Sequence, residues 1–258
     1  MACETQRSDP GAPRAANAPA RAIGVCFESL ILLRMAPSPS PRLLRVLLVL
    51  ALDAVLLMLG LGGLAALLHE PRALALLAVW GIGGAALAAR APVRGQDVVA
   101  FDKDPGTMLV LFFVPLVTPL VAALGAQHRL WMLPGAPLLG WAGVALAAAG
   151  LALRIAAMSQ LGARFSPLVA VQREHTLETR GLYGQIRHPG YLGALLSAFG
   201  SALAFDSALA LPLFAIMLGA ELARVRREEV LLAKHFGADW SAYAASTGAL
   251  LPRPLGGH

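Results

Sequence analysis

The chain has 258 residues, of which 57% are hydrophobic and 14% are charged, and its mean hydropathy is +0.67. Soluble domains carry about 25% charged residues, so this composition excludes a water-facing globule. The net charge of +6 does not indicate nucleic acid, because no aromatic stacking platform interleaves with the basic residues, which in membrane proteins collect in cytoplasmic loops. The composition therefore predicts an integral membrane protein.

The N-terminal tail, residues 1–41, is rich in Ala, Pro, Arg and Ser, so we expect it to be disordered. Its apolar stretch, residues 23–33, is too short to cross a bilayer. We expect the natural chain to start at Met35, with the preceding residues being upstream read-through. Cys3 and Cys26 both lie in the tail, so no disulfide framework or metal cluster is predicted.

Four apolar runs within residues 42–157 are predicted as transmembrane helices 1–4, because a bilayer crossing needs roughly 20 apolar residues. The first two runs contain glycines, which could form a nucleotide-binding loop or allow close helix packing. Close packing is favoured because no strand precedes them. The glycines are Gly60, Gly62, Gly63, Gly81, Gly83 and Gly84, and the predicted spans are 43–68, 73–90, 107–126 and 136–157.

The third region, residues 158–258, begins with a polar stretch and continues as an apolar run over residues 191–222, which Asp206 interrupts. As a single helix this run would reach about 48 Å, more than the hydrocarbon core of about 30 Å. It is therefore predicted as a helical hairpin that turns at Asp206. A charged cytosolic helix is predicted from Ala223 onward.

The distribution of basic residues supports this topology. If the spans and the hairpin form, 19 of the 21 Lys and Arg residues lie on one side, and only Arg72 and Arg129 lie on the other. The positive-inside rule then places both termini and the polar stretch in the cytoplasm. The sequence thus predicts an all-α polytopic membrane protein with six membrane segments.

Two clusters of reactive side chains are predicted to meet at the cytoplasmic interface. The first covers residues 172–191, and the second, residues 224–229, begins where the hairpin returns to the same side. Arg224 and Glu228 are four residues apart and so share one face of a helix. Such an interface suits a charged cofactor from the cytosol that meets a lipid-borne substrate.

The side chains in these clusters can bind an adenine-containing or sulfonium cofactor. Pro189 suits the first turn of a helix, where the exposed amides beside Pro189 and Tyr191 could bind a carboxylate or a ribose oxygen. Tyr183 and Tyr191 offer aromatic faces to an adenine ring or a sulfonium. Glu228 can accept hydrogen bonds from an ammonium or from ribose hydroxyls. No histidine has the i,i+4 spacing of a metal site, so no metal is predicted.

Each motif also has a structural interpretation. Arg187 and His188 could anchor a helix end at the lipid headgroups. The pair 228–229 could belong to a solvated helix face with ion pairs. Trp240 and Tyr243 are interpreted as interfacial anchors and packing residues rather than as ligands.

The order of the motifs is specific enough to suggest a family. In chain order they are His175-Thr-Leu177, Gly181-Leu-Tyr183, Arg187-His188-Pro189-Gly190-Tyr191-Leu192-Gly193, Glu228-Glu229 and Phe236-Gly237-x-x-Trp240-x-x-Tyr243. This series resembles the isoprenylcysteine carboxyl methyltransferase family. The related phospholipid N-methyltransferases share its Arg-His-Pro-x-Tyr-x-Gly and Glu-Glu pattern. The resemblance covers about residues 154–253.

The resemblance implies that S-adenosylmethionine is the methyl donor and that residues 158–258 form a methyltransferase-like catalytic region. It implies that Arg224 pairs with the methylated carboxylate and that Arg224 and Glu228 are the catalytic residues. Two features differ from the family: Arg226-Arg227 replace an acidic run, and Gln172 lies closer to His175 than expected. The residues implied in the donor site are Gln172, His175, Leu177, Tyr183, His188, Pro189, Tyr191 and Glu228.

The chemical class of the methyl acceptor depends on whether the acceptor must lose a proton before it is methylated. A sulfonium methyl is already activated, so the enzyme mainly aligns the reactants and excludes water. A carboxylate is ionised at pH 7 and needs no base, whereas an amine must first lose a proton to a base. The candidate bases in the two clusters are His188 and Glu229. We favour a carboxylate on a lipophilic small molecule or a lipidated substrate, while other lipophilic acids, amines and thiols stay open.

Two other functions compete with methyl transfer. An NADPH-dependent membrane reductase of the sterol-reductase type shares a similar C-terminal plan but has Asn or Cys where this chain has Pro189. A non-catalytic membrane protein or small transporter would place paired polar residues at mid-membrane depth, where only Asp53 qualifies. The Ala, Leu, Gly and Arg bias indicates a GC-rich bacterial genome, in which prenylated proteins are not an expected substrate. We therefore expect a bacterial inner-membrane protein. It is predicted to contact membrane lipids and to bind neither nucleic acid nor metal.

Overall fold

The computed structural model describes residues 39–89, 98–101, 105–135, 137–162, 170–172 and 177–253. In the described part of the chain the helices are α1 (Pro39–Leu61), α2 (Leu64–His69), α3 (Pro71–Ala89), α4 (Pro105–Gln127), α5 (Leu138–Leu161), α6 (Pro189–Leu203), α7 (Leu211–Phe236) and α8 (Ala238–Ser246). Short 3-10 turns cover Gly181–Gly184 and Ala208–Ala210. The predicted disordered tail lies outside the described residues, apart from the start of α1.

Five of the described helices are long and apolar enough to cross a membrane. Helices α1, α3, α4 and α5 supply four, in the predicted order, and α7 supplies the fifth. Helix α6 has 15 residues, fewer than the roughly 20 that a crossing needs, so the hairpin joins a short helix to a long one. The polytopic helical fold is confirmed, and the count of six membrane segments stays a prediction.

One small sheet was not predicted. Strands β1 (Val98–Phe101) and β2 (Ala170–Gln172) form an antiparallel pair in which Val98 lies opposite Gln172. The sheet joins the loop after α3 to the polar stretch after α5, and β2 also contacts α7. The described fold is therefore helical with one two-stranded addition.

The first predicted span, 43–68, is divided between the long helix α1 and the short helix α2. Helix α1 starts at Pro39, because proline is tolerated in the first turn of a helix. It ends at Leu61, where Gly62 and Gly63 have φ angles of 92° and 137°. Glycine adopts such angles without steric penalty, so the chain breaks there and restarts as α2.

The predicted end of the membrane hairpin at residue 222 does not coincide with the end of a helix. Helix α7 continues unbroken through this position to Phe236. The reason is that residues 220–234 consist mainly of the strong helix formers Ala, Leu, Arg, Glu and Lys, so the change from apolar to charged composition does not end the helix. A separate and shorter helix, α8, starts after Gly237.

Helices α5 and α6 share the most extensive helix contact in the described chain. Glycines seven residues apart line both sides of it. A Cβ atom at Gly193 would lie 2.6 Å from the carbonyl oxygen of Gly150, and one at Gly143 would lie 2.7 Å from that of Gly200. Backbones can approach this closely only where side chains are absent. The contact holds the start of α6 against α5.

Close packing also explains glycines in the first two spans. A Cβ atom at Gly60 would lie 2.8 Å from that of Ala123, and Gly83 packs against the side chain of Leu151. The helix-packing interpretation is thus confirmed for these two positions. The pair 62–63 instead forms the helix break after α1.

The buried apolar core lies between α1, α3, α4, α5 and the turn of the hairpin. Leu57, Leu76 and Phe205 are fully buried there. On the outer surface of α1, by contrast, Leu44 and Leu48 are more than half exposed. Such an apolar outer surface suits contact with lipid rather than with water.

The hairpin turns at the end of the bundle opposite the start of α6. The predicted turn residue, Asp206, has a φ of 58°, in the left-handed region that Asp tolerates. The guanidinium of Arg72 donates hydrogen bonds to the carboxylate of Asp206 and, at 2.8 Å, to that of Glu70. The hydroxyl of Ser207 donates to the carbonyl oxygen of Leu130 at 2.9 Å. The turn is therefore confirmed and is held by α3 and the loop before α5.

Candidate active site

The candidate active site lies where the first turn of α6 meets the middle of α7. The phenol of Tyr191 donates to Oε2 of Glu228 at 2.7 Å. The same phenol oxygen accepts a hydrogen bond from Nε of Arg224 at 3.1 Å. Because Arg224 and Glu228 are one helical turn apart, both reach the same tyrosine. The hairpin thus brings the two predicted clusters into contact.

Arg224 is buried at the contact between three helices. Only 6% of the residue is exposed, and its Nη1 also donates to the sulfur of Met108 on α4 at 2.8 Å. A buried guanidinium is costly unless nearby negative charge compensates it. Glu221 and Glu228, on its own helix, provide that charge.

His188 lies immediately before α6, with its ring against that of Tyr191. The ring centroids are 5.5 Å apart in an edge-on arrangement. Nε2 of His188 lies 3.2 Å from Oε1 of Glu229, and Nε of Arg187 donates to the same oxygen at 2.8 Å. Both residues of the Arg-His pair are therefore held inside the protein, and their interpretation as headgroup anchors is wrong.

Arg187 ties this site to α8. Its Nη1 donates to the carbonyl oxygens of Ala244, at 3.1 Å, and of Thr247. Its guanidinium carbon lies 5.9 Å from the centroid of the Trp240 ring, as in a cation–π contact. Trp240 is therefore a packing residue, as its structural interpretation states.

A short segment after α8 completes the frame of the site. The amide of Arg187 donates to the carbonyl oxygen of Gly248 at 2.8 Å, and the amide of His188 donates to that of Ala249 at 3.0 Å. Ile186 also forms an isolated parallel bridge with Gly248. This segment holds the backbone of the Arg-His motif in a fixed position.

Tyr183 lies in the 3-10 turn before the motif and is buried. Its hydroxyl lies 3.4 Å from the carbonyl oxygen of Ala157, and its own carbonyl oxygen accepts from the hydroxyl of Tyr243 at 2.6 Å. Burial raises the pKa of Tyr183, and the carboxylate of Glu228 raises it further. Burial raises the pKa of Tyr243 to about 12. Both phenols are therefore protonated, and able to donate, at neutral pH.

Gln160, at the end of α5, clamps the same turn. Its Nε2 donates to the carbonyl oxygen of Arg180 at 2.6 Å, and its Oε1 accepts from the amide of Leu182 at 3.1 Å. Gly181, between them, has a φ of 54°, and a Cβ atom there would lie 2.8 Å from Oε1 of Gln160. The Gly-Leu-Tyr motif is thus a tight turn bound to α5.

Two further charged residues extend the cluster along α5 and α7. Nη1 of Arg154 donates to the carbonyl oxygen of Gly190 at 2.9 Å. Glu221 is 3% exposed, and its Oε2 has no hydrogen-bond partner among the described residues. The charged and titratable groups that face Glu221 are Arg154, Arg224, Glu228 and His188.

The remaining predicted site residues have no described side-chain contact with Tyr191, Arg224 or Glu228. Pro189 is the buried first residue of α6. Gln172 ends β2, and its side chain lies outside the described residues, as does the whole of His175. Leu177 is half-buried in the segment before the 3-10 turn. The amide of Tyr191, expected to be exposed to a ligand, instead donates to the carbonyl oxygen of His188 at 3.1 Å.

Sequence reasoning missed several residues of the cluster. Met108, Arg154 and Gln160 carry no local signal, because each belongs to a helix far along the chain from the motifs. Glu221 carries one, since it lies seven residues before Glu228 and thus on the same helix face.

The part of the chain that contains this cluster is similar to a known protein family. The model of the isoprenylcysteine carboxyl methyltransferase (ICMT) family matches residues 143–234. We call residues 143–234 the ICMT-family region. The resemblance drawn from the motifs is thereby confirmed. The ICMT-family region includes α6, most of α5 and α7, and the contacting residues Tyr191, Arg224, Glu228 and His188.

Curated proteins named for the ICMT activity match part of the chain. Protein-S-isoprenylcysteine O-methyltransferase of Schizosaccharomyces pombe is 33% identical over 103 residues, 39% of this chain and 44% of that protein. Its namesake in Saccharomyces cerevisiae is 34% identical over 102 residues, 38% of this chain and 43% of that protein. A probable enzyme of this name in Oryza sativa subsp. japonica is 30% identical over 115 residues, 43% and 60% of the two chains. The chain thus spans about half the length of the curated relatives it matches.

A solved structure shares the architecture of the chain. The eukaryotic intramembrane Ras methyltransferase ICMT superposes with a TM-score of 0.57, covering 92% of this chain and 87% of that chain. The two sequences are 19% identical. The likeness therefore shows a common fold that extends beyond the ICMT-family region.

Proposed function

We propose that this protein is an integral membrane methyltransferase that transfers a methyl group from S-adenosylmethionine to a lipophilic acceptor. The observation that carries the proposal is the contact of Tyr191 with both Arg224 and Glu228 inside the ICMT-family region. The curated relatives are named as O-methyltransferases, which favours an oxygen acceptor. We accordingly propose a carboxylate as the methylated group.

The chemistry of the cluster fits this donor, which carries an ammonium, a carboxylate, a sulfonium and an adenosine. Glu228 can accept from the ammonium or from ribose hydroxyls, and Tyr183 and Tyr191 provide aromatic groups for the adenine or the sulfonium. Oε2 of Glu221 is buried and has no hydrogen-bond partner among the described residues, so the cluster contains an acceptor that its own contacts do not use. When bound, the donor supplies a methyl group that its positive sulfur has already activated.

Arg224 is the residue we assign to the acceptor's carboxylate. A guanidinium can bind a carboxylate through two parallel hydrogen bonds, which fixes the orientation of its oxygens. The contacts of Arg224 with Tyr191 and Met108 hold its side chain in place before the acceptor binds. Such positioning is the main contribution the chain can make, because an ionised carboxylate needs no base.

Glu229 and His188 are assigned to the frame of the site rather than to proton removal. Oε1 of Glu229 already accepts from Arg187 and contacts His188. A general base must reach the proton that it takes, and this carboxylate oxygen is bonded within the protein instead. The arrangement therefore favours a carboxylate over an amine acceptor.

The acceptor is proposed to arrive from the lipid. The outer faces of the spans are apolar, and the site lies at one end of a hairpin between them. A lipophilic small molecule or a lipidated substrate suits this position. From the distribution of basic residues, 19 against 2, we propose a bacterial inner-membrane protein with both termini cytoplasmic.

The proposal is tested by calorimetry with S-adenosylmethionine and S-adenosylhomocysteine on the detergent-purified protein. We expect micromolar binding that Glu228→Gln weakens on the order of tenfold to a hundredfold, since an ionic hydrogen bond is lost. Asp239→Asn, which removes an exposed carboxylate on α8, is the control and should bind like the parent. Binding of NADPH but of neither methyl-donor compound would instead support the reductase alternative.

A further inference from the structure

Two arginines lie close to the start of α1, far along the chain from the candidate active site. Arg42 and Arg45 are three residues apart, so their side chains are neighbours on the surface of the helix. The first turn of α1 contains no acidic residue. The start of a helix carries a partial positive charge that favours anions and disfavours cations. The two guanidiniums therefore add to a positive potential that an anion would relieve.

The helices that contact α1 supply no such anion from their described residues. Helix α1 contacts α2, α3 and α4, and the only carboxylate within these four helices is that of Asp53. Asp53 lies eleven residues after Arg42, about 16 Å along the helix axis. This separation is far longer than the roughly 4 Å that joins the two charged atoms of an ion pair. An anion that binds Arg42 would therefore be an added ligand with respect to these helices.

The side chain of Arg42 is directed toward α3 and is partly buried. Val46 is four residues further on, on the same helix face, and an added Cβ atom at Gly84 of α3 would lie 3.2 Å from its Cγ1. Nε of Arg42 is buried and has no hydrogen-bond partner among the described residues. A buried N–H without an acceptor loses its bonds to water without replacement, and the cost is greater for a charged group. The contact between α1 and α3 thus holds a donor that a bound anion would complete.

The position of Arg42 along the bundle indicates which anion is at hand. Helices α1 and α4 meet at Gly60 and Ala123, near the C-terminal ends of both, so both helices begin at the same end of the bundle. Met108, near the start of α4, contacts Arg224 of the candidate active site. Arg42 therefore lies at the same end as that site. Because a membrane-spanning helix begins there, the groups at this level are lipid headgroups.

Apolar side chains continue from this position along the outer surface of α1. Those of Leu43, Leu44, Leu47 and Leu48 are each more than half exposed. They suit contact with acyl chains, so a lipid whose phosphate binds Arg42 can lie along them. Inorganic phosphate would use the charge but none of this apolar surface. Basic groups between membrane helices are a common way to bind anionic lipid headgroups.

We propose that Arg42 and Arg45 form a binding site for the phosphodiester headgroup of an anionic phospholipid. Nε of Arg42 donates to a phosphate oxygen, and Arg45 contributes a second positive charge beside it. A headgroup with a net negative charge, such as that of phosphatidylglycerol, is favoured over phosphatidylcholine, whose choline cation the second arginine repels. The site contains no residue of the candidate active site and does not depend on the proposed function.

Titration of the detergent-purified full chain with single lipids tests the proposal. Native mass spectrometry measures the dissociation constant of the first bound dioleoyl phosphatidylglycerol and, separately, of dioleoyl phosphatidylcholine. We expect the parent protein to favour phosphatidylglycerol by about tenfold or more. Arg42→Gln should weaken phosphatidylglycerol binding on the order of tenfold to a hundredfold, as for the loss of a hydrogen bond between charged groups, and leave phosphatidylcholine binding unchanged.

Two further variants separate a specific site from general positive charge. Arg42→Lys keeps the charge that counts toward membrane topology but loses the planar guanidinium, so it should bind phosphatidylglycerol severalfold more weakly than the parent. It carries the test if the glutamine variant does not fold. Arg226→Gln removes an exposed arginine of α7 and should bind both lipids like the parent. Thermal unfolding in detergent shows which variants are folded before each titration.

Three results would overturn the lipid site. The first is equal affinity of the parent protein for the two lipids, and the second is a loss in Arg226→Gln as large as that in the Arg42 variants. The third is displacement of phosphatidylglycerol by millimolar inorganic phosphate, which would assign the arginines to a free anion. Binding of S-adenosylmethionine is measured in a separate experiment, so failure of the proposed function and failure of this site are distinguishable.

Discussion

Tyr191 is the residue on which the candidate site is centred. Its phenol oxygen donates to Glu228 and accepts from Arg224, so a single neutral group of α6 orients two oppositely charged side chains of α7. Its ring also packs against His188. Removing the hydroxyl should therefore disturb orientation while leaving the packing in place.

We expect Tyr191→Phe to weaken S-adenosylhomocysteine binding on the order of tenfold. The variant loses two hydrogen bonds to charged groups, each contributing about 1.5–3 kcal/mol, although part is recovered as Glu228 and Arg224 readjust. Calorimetry measures the change. Tyr183→Phe is the matched control, because its hydroxyl lies 3.4 Å from its acceptor and should contribute little. Equal losses in the two variants would contradict the central position of Tyr191.

At this scale the motif order predicted the residues that meet, but not those that complete the cluster. Tyr191, Arg224 and Glu228 belong to sequence motifs with a known order, and a hairpin was enough to bring them together. Arg154 and Gln160 lie on α5, and their partners depend on the register between α5 and α6. No local pattern specifies that register, so these contacts are visible only in the folded chain.

At the scale of elements, the contact between α5 and α6 places the site. Glycines on both helices allow the backbones to touch, and α6 carries the first turn with Tyr191. An added methyl group at the contact would push α6 away from α5. Such a change should move Tyr191 within the candidate site and lower the stability of the folded protein.

Gly193→Ala is expected to lower the stability of the folded protein by about 1–3 kcal/mol, through overpacking against the backbone of α5. A Cβ atom there would lie 2.6 Å from the carbonyl oxygen of Gly150. Thermal unfolding in detergent checks this. Gly219→Ala, on α7, is the matched control: its Cβ meets nothing within 4 Å, so better helix propensity should stabilise by about 0.5–1 kcal/mol. A stabilised Gly193→Ala variant would show that the two backbones are not in contact.

Apolar length predicted which elements exist better than where they end. Helices α1, α3, α4 and α5 follow from runs long enough to span a bilayer. Their boundaries depend on local chemistry, such as the backbone angles of Gly62 and Gly63, or on the strong helix formers that carry α7 past residue 222. Strands β1 and β2 were missed because three or four residues hold no periodic signal without their partner.

At the scale of the whole molecule, the hairpin is fastened at both ends. The candidate site joins α6 to α7 at one end, and Arg72 of α3 holds the turn at Asp206 at the other. Arg72 and this turn are predicted from the sequence to lie on the same side of the membrane, and their ion pair confirms that they lie together. The assignment of that side as non-cytoplasmic stays a prediction.

Asp206→Ala is expected to destabilise the protein by about 3–5 kcal/mol, because it leaves the guanidinium of Arg72 buried with one partner fewer. Thermal unfolding measures the loss. Glu70→Gln is the comparison, since Glu70 contacts the same guanidinium but is more exposed, so a smaller loss is expected. Below the melting transition, Asp206→Ala should bind S-adenosylhomocysteine like the parent. Weakened binding there would mean that the two ends of the hairpin are coupled.

The backbone bonds from residues 186–188 to residues 248–249 have a consequence for biosynthesis. Helices α1 to α7 can insert as they leave the ribosome, but the Arg-His motif has no partner for its amides until Gly248 and Ala249 have been made. A nascent chain that stalls after α7 would therefore carry most side chains of the candidate site without the frame that orients them. The frame of the candidate site would then form only after residues 248–249 have been made, when helices α1 to α7 have already left the ribosome.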